Sequence, residues 1–235
     1  MLSVICPIYN EEEYINQCIE SILMQDYPKN DLEILFVDGM SKDKTRDIVK
    51  EYSEKYPFIH LLDNPKKIVP CAMNIGIKAS RGDIIIRLDA HANYEKNYFS
   101  VLSHRLIELG AENVGVVCKT DVLNKTPKTF AIREVLSNKF GVGNSIFRTG
   151  VDKVMEVDTV PFGCWRRDVF DKYGLYDERL IRNQDFELNY RIRKGSGRIF
   201  IVPDSNCTYY ARESFKKLWI QNYKNGLWGI RTVLF

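Results

Sequence analysis

Short apolar runs, each closed by a turn and most of them followed by a segment of helical periodicity, constrain this fold more than any other feature. The first run, residues 2–8, ends at Tyr9-Asn10, and Tyr14, Ile15, Cys18, Ile19, Ile22 and Leu23 then recur at helical spacing. Asn10, with Glu13 three residues on, has the form of a capping box. A second run over 33–37 is broken by Asp38-Gly39, and Ser41 is placed to cap a helix over 44–56. Further strands are predicted at 59–62, 83–88 and 114–118, and helices at 71–79 and 98–109. This alternation predicts an α/β fold with a mainly parallel central sheet and helices on both faces. Beyond Lys119 the alternation weakens. Residues 140–150 carry Gly141, Gly143 and Gly150 among polar residues and read as a flexible loop without the ending of a P-loop. Helices over 168–173 and 183–194 and a strand over 198–202 follow.

Open α/β sheets bind ligands at the carboxyl ends of their strands, so the residues closing each strand carry the chemistry. Ile84-Ile85-Ile86 runs into Arg87-Leu88-Asp89-Ala90-His91. An Asp-x-His pair there offers a carboxylate and an imidazole to a divalent cation that holds a phosphate. The same acid can also serve only as a turn former or cap. Asp38 closes another strand, and Asp185 falls in a first helical turn, where the helix dipole also favours an acid. Lys66 and Lys67 sit in a Pro-bounded loop, either as positive charge for phosphates or as a solvated pair.

A chain of 235 residues, 45% hydrophobic and 28% charged, can bury a substantial core, which excludes disordered and fibrous classes. The net charge of +3 is concentrated in the tail, where residues 212–231 hold five basic residues against one acidic. The body has no basic stripe for nucleic acid. Six scattered cysteines lack zinc spacing and read as buried free thiols of a reducing compartment. The N-terminal run carries no basic region of a signal peptide, and no stretch reaches the length of a membrane span, so the body is expected in the cytoplasm. In the tail, Phe215, Leu218, Trp219, Tyr223, Leu227, Trp228 and Ile230 lie among Lys216, Lys217, Lys224 and Arg231. That pattern fits a helix in a membrane interface or one packed on the core. The apolar ending Thr232-Val233-Leu234-Phe235 reads as leading into a hydrophobic extension.

Cys6-Pro7-Ile8-Tyr9-Asn10-Glu11-Glu12, Val37-Asp38-Gly39-x-Ser41-x-Asp43-x-Thr45, Asn74-Ile75-Gly76 through Gly82-Asp83, and Asp89-Ala90-His91 together resemble family 2 glycosyltransferases of the GT-A fold. The resemblance runs on through Gly163, Trp165-Arg166-Arg167 and Gln184-Asp185-x-Glu187-Leu188-x-x-Arg191. Arg-x-Asp-Ala-His and the Gly-Val-Gly-Asn-Ser loop are most similar to the succinoglycan-type transferases of bacterial exopolysaccharide assembly. The resemblance implies a GT-A fold in which residues 1–118 bind a nucleotide-sugar donor and 119–211 bind the acceptor and supply the base; residues 212–235 follow as the basic aromatic helix, at a membrane surface or packed on the core.

It also implies site residues. Tyr9 would stack on the nucleotide base and Asp38 accept its imide N–H, roles that a flat apolar ring and an in-plane acceptor suit; both could equally be turn residues. Pro7, Glu11, Lys67, Asn74 and Asp89 complete the donor set. Asp89 and His91 would hold Mn²⁺ or Mg²⁺, with His91 where Asp-x-Asp is commonest in the family. Asp185 would be the general base, with Gln184 replacing the usual Glu beside it. Gln184, Trp165 and Glu187 would meet the acceptor, Glu187 alternatively supporting the helix opening. The implied reaction moves a hexose from a nucleotide diphosphate sugar, a UDP-sugar, to a saccharide or lipid-linked saccharide at the inner face of the cell membrane. One base without a second nucleophile implies inversion. Residues 140–150 could close over the site as a lid. A sugar nucleotidyltransferase and an inactive nucleotide-sugar-binding module are the alternatives. The acidic Glu11-Glu12-Glu13 would repel the triphosphate of the first, and retention of Asp38, Asp89, His91 and Asp185 argues against the second.

Overall fold

A computed structural model describes residues 1–143, 145–211 and 213–234, with side chains as far as Gly229. The alternating first part is β1 (Leu2–Ile8), α1 (Ile15–Leu23), β2 (Leu32–Asp38), α2 (Thr45–Lys55), β3 (Ile59–Asp63), α3 (Val69–Ala79) and β4 (Ile84–Arg87). Then come β5 (Ala92–Tyr94), α4 (Tyr98–Glu108), β6 (Asn113–Asp121), α5 (Pro127–Ser137), α6 (Lys139–Val142) and α7 (Ile146–Thr149). The chain continues through β7 (Met155–Glu156), β8 (Cys164–Arg166), α8 (Asp168–Tyr173), α9 (Gln184–Lys194), β9 (Ile199–Tyr210) and α10 (Phe215–Leu234). One mainly parallel sheet runs in the order β3-β2-β1-β4-β8-β6-β9-β5, with β7 on β9. The two halves expected to divide at residue 118 therefore share a single sheet.

Every residue of β2 is buried, as expected of a strand covered on both faces. Alternate side chains sort to opposite sides. Val4, Cys6, Ile8, Ile34 and Phe36 pack with α1 and α4, while Ile5, Leu35 and Val37 pack with α3 and α9. Each fully buried Ile contributes about 1.5–3 kcal/mol, so two-sided burial rather than local propensity holds these elements. Gly76 lets α3 approach β1 closely, because a Cβ there would fall 2.5 Å from Ile5 Cγ2.

β2 lies on one side of β1 and β4 on the other, all three parallel. The chain thus moves outward through β3 and returns across β1, and a crevice opens where the order reverses, at the carboxyl ends of β1 and β4. The loops beyond β1 and β2 lock together at this edge. Asn10 N–H donates to Ser41 Oγ (2.8 Å), Glu11 N–H to Thr45 Oγ1 (2.8 Å), and Lys42 N–H to Asn10 Oδ1 (2.9 Å). These bonds overturn two expectations. Neither Asn10 nor Ser41 caps a helix; α1 and α2 start at Ile15 and Thr45 without side-chain caps. The capping groups are spent between the loops.

The late strand also exceeds its expected end at residue 202. Val202 pairs with Val116 and Asn206 with Val117, so residues 203–205, with Pro203, bulge out and β9 continues to Tyr210. The glycine-rich loop holds α6 and α7, and Phe147 packs against both cores; its Asn144 lies outside the described residues. All six cysteines are buried and free. Leu218 of α10 packs with Val122, Ile132 and Ala211, while Phe215, Trp219, Tyr223 and Leu227 remain exposed. The side chains of Ile230, Arg231 and the apolar ending lie outside those described. No helix among the described residues is long and apolar enough to cross a membrane.

Candidate active site

β4 ends in a charged side chain turned inward. Arg87 is only 5% exposed, and its backbone N–H donates to Gly163 O (3.1 Å). Gly163 adopts φ +92°, and a Cβ there would press into the Trp165 ring. The Arg87 guanidinium donates through Nη1 to Asp185 Oδ1 and through Nη2 to Asp89 Oδ1 (3.1 Å). One buried cation thus yokes two carboxylates that are 96 residues apart in sequence. No role is expected for Arg87 from the sequence. Its signal was present: a lone charge closing the apolar run Ile84-Ile85-Ile86 requires a partner at the sheet edge.

The turn after β4 is clamped by Tyr94, whose hydroxyl accepts from Asp89 N–H (2.8 Å) and donates to Asp89 O (3.0 Å). Asp89 keeps 20% of its side chain exposed. His91 Nδ1 lies 3.5 Å from Glu11 Oε1, and the His91 ring is edge-on to Tyr209 at 5.2 Å. A hard carboxylate oxygen and an imidazole suit Mn²⁺ or Mg²⁺. Among the described residues no group of three or more His, Cys, Asp or Glu could hold a metal. Two protein ligands fit a cation that completes its coordination with phosphate oxygens and water.

Asp185 stands in the first turn of α9, behind Asn183 at φ +60°. Burial pushes its carboxyl above the ordinary Asp range; the Arg87 cation opposes this and the Asp89 charge adds to it. Gln184 is 7% exposed, and its Oε1 has no hydrogen-bond partner among the described residues. A cleft of about 520 Å³ joins Asp89, His91, Gln184 and Asp185, with Gln221 and Asn225 of α10 in its wall. A narrower groove of about 130 Å³ continues from Asp89 and His91 past Pro7, Tyr9, Glu11 and Lys67. Tyr9 is 44% exposed and presents an open ring there. A groove of about 840 Å³ runs along edge strand β3, away from the carboxyl ends of β1 and β4, and its Arg46 and Arg81 are already bound to carboxylates.

Four expected contacts are not brought to these cavities. Asn74 is buried; its amide donates to Tyr176 O (2.9 Å) and Glu178 Oε1 (3.1 Å) and accepts from Tyr176 N–H (2.9 Å), so it staples α3 to the segment before α9. Trp165 is 1% exposed within the core against Phe170 and Tyr176 and cannot meet an acceptor. Glu187 takes a bidentate pair from Arg191 (2.6 and 2.7 Å), which in turn donates to the carbonyls of Tyr173 and Leu175. Of the two roles expected for Glu187, helix support is the one its contacts fill. Asp38 is fully buried and accepts from Ser41 N–H (2.9 Å), Ser41 Oγ (2.5 Å) and Arg46 Nη1 (2.6 Å), leaving no approach for a base unless those partners move. Lys66 pairs with Glu178 (2.6 Å), so Lys67 alone of that pair faces the groove.

A switch-point crevice with a carboxylate–imidazole pair, a second acid across a shared guanidinium and an aromatic groove defines a GT-A glycosyltransferase domain. The solved structures share this fold. A mannosyltransferase from Pyrobaculum calidifontis in complex with GDP-Man and Mn²⁺ matches 93% of the chain with TM-score 0.70 at 20% identity. TarS 1-349 of S. aureus in complex with UDP-GlcNAc matches 91% with TM-score 0.70 at 20% identity. This chain spans 59% of each of those chains. Residues 3–174 match the family model for glycosyl transferase family 2, and the chain belongs to that family. Relatives include a dolichyl N-acetyl-glucosaminyl phosphate glucuronosyltransferase of Methanococcus voltae, 32% identical over 96% of this chain and 71% of that protein. Succinoglycan biosynthesis protein ExoA of Rhizobium meliloti is 30% identical over 95% of this chain and 67% of that protein.

Proposed function

We propose that this protein transfers a hexose from a UDP-sugar to a lipid-linked saccharide, inverting the anomeric centre, in exopolysaccharide or cell-surface glycan assembly at the inner face of the membrane. The observation that carries this reading is the single guanidinium joining Asp89 to Asp185. It keeps a base within the cleft that also contains the donor-phosphate ligands. Asp185 takes the proton from the acceptor hydroxyl, and the upward push on its carboxyl makes it a stronger base. With one carboxylate as base and the other held toward the phosphates, attack occurs in a single displacement, which inverts. Tyr9 stacks on the uracil, Lys67 adds charge beside the phosphates, and Pro7 and Glu11 wall the groove. Mn²⁺ or Mg²⁺ held by Asp89 and His91 would neutralise the leaving diphosphate as a Lewis acid. Gln184, buried beside the base with an unpartnered oxygen, receives an acceptor hydroxyl.

The Methanococcus voltae relative, named for transfer to a dolichyl phosphate-linked sugar, supports a lipid-linked acceptor. The outward stripe Phe215, Trp219, Tyr223 and Leu227, flanked by Lys216 and Lys224, supports a helix lying in the membrane interface. Calorimetric titration of UDP in Mn²⁺ and in EDTA, with wild type and Asp89→Ala, tests the core of this reading. Metal-dependent binding lost in the variant is expected. UDP binding that ignores both metal and Asp89 would remove the metal role.

A further inference from the structure

The cleft holds two arginines beyond the one consumed by Asp89 and Asp185: Arg182, which donates to Asn225 Oδ1 (3.1 Å), and Arg148. Arg148 sits on the short helix α7, which is docked by Ile146 and Phe147 against the cores. It lines the same cleft as Asp89, His91 and Asp185. Among the described residues it makes no ion pair, and its guanidinium has one hydrogen bond, Nη1 to Thr120 Oγ1 (3.0 Å). The guanidinium carbon lies 5.6 Å from the Phe147 ring centroid and 5.5 Å from that of Tyr209. Tyr209 meets the His91 ring at 5.2 Å. The cation is therefore aimed by a hydroxyl and two aromatic rings, and stands one ring away from the imidazole. A stacked, pre-aimed guanidinium keeps its in-plane N–H fork available, and that fork matches the oxygens of a phosphate.

We propose that Arg148 is a phosphate-binding cation of this cleft, taking an oxyanion delivered with the substrate on the side of His91 that faces Tyr209. The assignment rests on the transferase reading of the same site. Two sources carry that chemistry, the donor diphosphate and a phosphate linking the acceptor sugar to its lipid, and the proximity to His91 favours the donor. Arg148 adds positive charge to the cleft, where the diphosphate charge grows as the sugar leaves.

The test measures binding of inorganic pyrophosphate, UDP and uridine to the whole chain in a fixed excess of Mg²⁺, so that any cation at Asp89 and His91 is the same for every variant. Wild type, Arg148→Gln and Arg148→Lys are compared, and uridine serves as the check that each variant keeps a folded site. The Gln variant should bind pyrophosphate and UDP about ten- to a hundred-fold more weakly, with uridine unchanged and the Lys variant between. Unchanged pyrophosphate and UDP binding, with a similar rise in KM for a phosphate-linked acceptor but not for a phosphate-free one, would give the oxyanion to the acceptor and overturn the donor source. If none of these quantities moves, the proposal is wrong. UDP that binds no tighter than pyrophosphate in all three proteins would overturn the uridine reading of the groove, while a loss of pyrophosphate in the Gln variant would still support Arg148.

Discussion

Arg87 carries one positive charge against two carboxylates, and both bonds depend on its fork. A lysine would keep the charge but reach only one partner well. Arg87→Lys is therefore expected to lower kcat about ten- to a hundred-fold and to weaken metal-dependent UDP binding, because the metal ligand and the base lose their common anchor. Arg87→Met leaves two acids beside each other without their cation and should cost about 3–5 kcal/mol of stability, read as a fall in the denaturation midpoint. Asp185→Asn removes the base alone. Its kcat should drop about a hundred- to ten-thousand-fold while UDP titration is unchanged. The pH profile follows from the direction of the shift: since the Asp185 carboxyl is raised, the active carboxylate is lost as pH falls through a value above the ordinary ~3.9. The acid limb of log kcat/KM should lie above that value, and a limb at or below it would contradict Asp185 as the base.

At the scale of elements, the local signals and the tertiary partners separate cleanly. β1, β2, β4 and α4 were legible because apolar runs and helical spacing are contained within each segment. β5 and β8 span three residues each, too few for any period, and exist because β9, β4 and β6 pair with them. β9 passed its expected end because a bulge within it, over residues 203–205, absorbs Pro203 while β6 pairs on either side. The same logic divides the site. Asp89, His91 and Asp185 follow or open elements, so their places could be read locally. The fates of Asn74 and Trp165 depended on Tyr176 and the core, which no spacing reveals, whereas Glu187 and Arg191 stand four residues apart on one helix, a spacing that pairs them. Asn74→Ala tests that division. It would leave the buried Tyr176 N–H and O without their partner and should destabilise the protein by about 1–3 kcal/mol in chemical denaturation. The KM for the nucleotide sugar should stay within error of wild type, since the amide does not face the groove; a selective rise in donor KM at unchanged stability would restore the donor role.

Across the whole molecule, α10 joins the cleft to the outer surface. Its inner face supplies Gln221 and Asn225, and Asn225 receives Arg182 Nη1 (3.1 Å) and Asn183 Nδ2 (3.0 Å) from the turn that starts α9. Phe215, Trp219, Tyr223 and Leu227 recur every four residues on the other side, with Trp219 stacked on Tyr223 at 5.6 Å. An aromatic face that dips into headgroups would therefore bring Asp185 and the cleft mouth to the level where a lipid-linked sugar projects. Lys216, Lys217 and Lys224 would add attraction to anionic lipid that salt screens. Replacing both rings, as Trp219→Ser with Tyr223→Ser, removes mostly exposed apolar area that belongs to none of the core clusters of the described residues, so the denaturation midpoint should hold. Partitioning onto phosphatidylglycerol-containing vesicles in a sedimentation assay should fall about tenfold or more. Transfer to a short water-soluble acceptor should persist, because neither ring lines the cleft. Transfer to a lipid-linked acceptor in those vesicles should fall in step with the bound fraction. Vesicle binding equal to wild type in the double variant would remove the membrane from this account and leave the outer face of α10 to another partner.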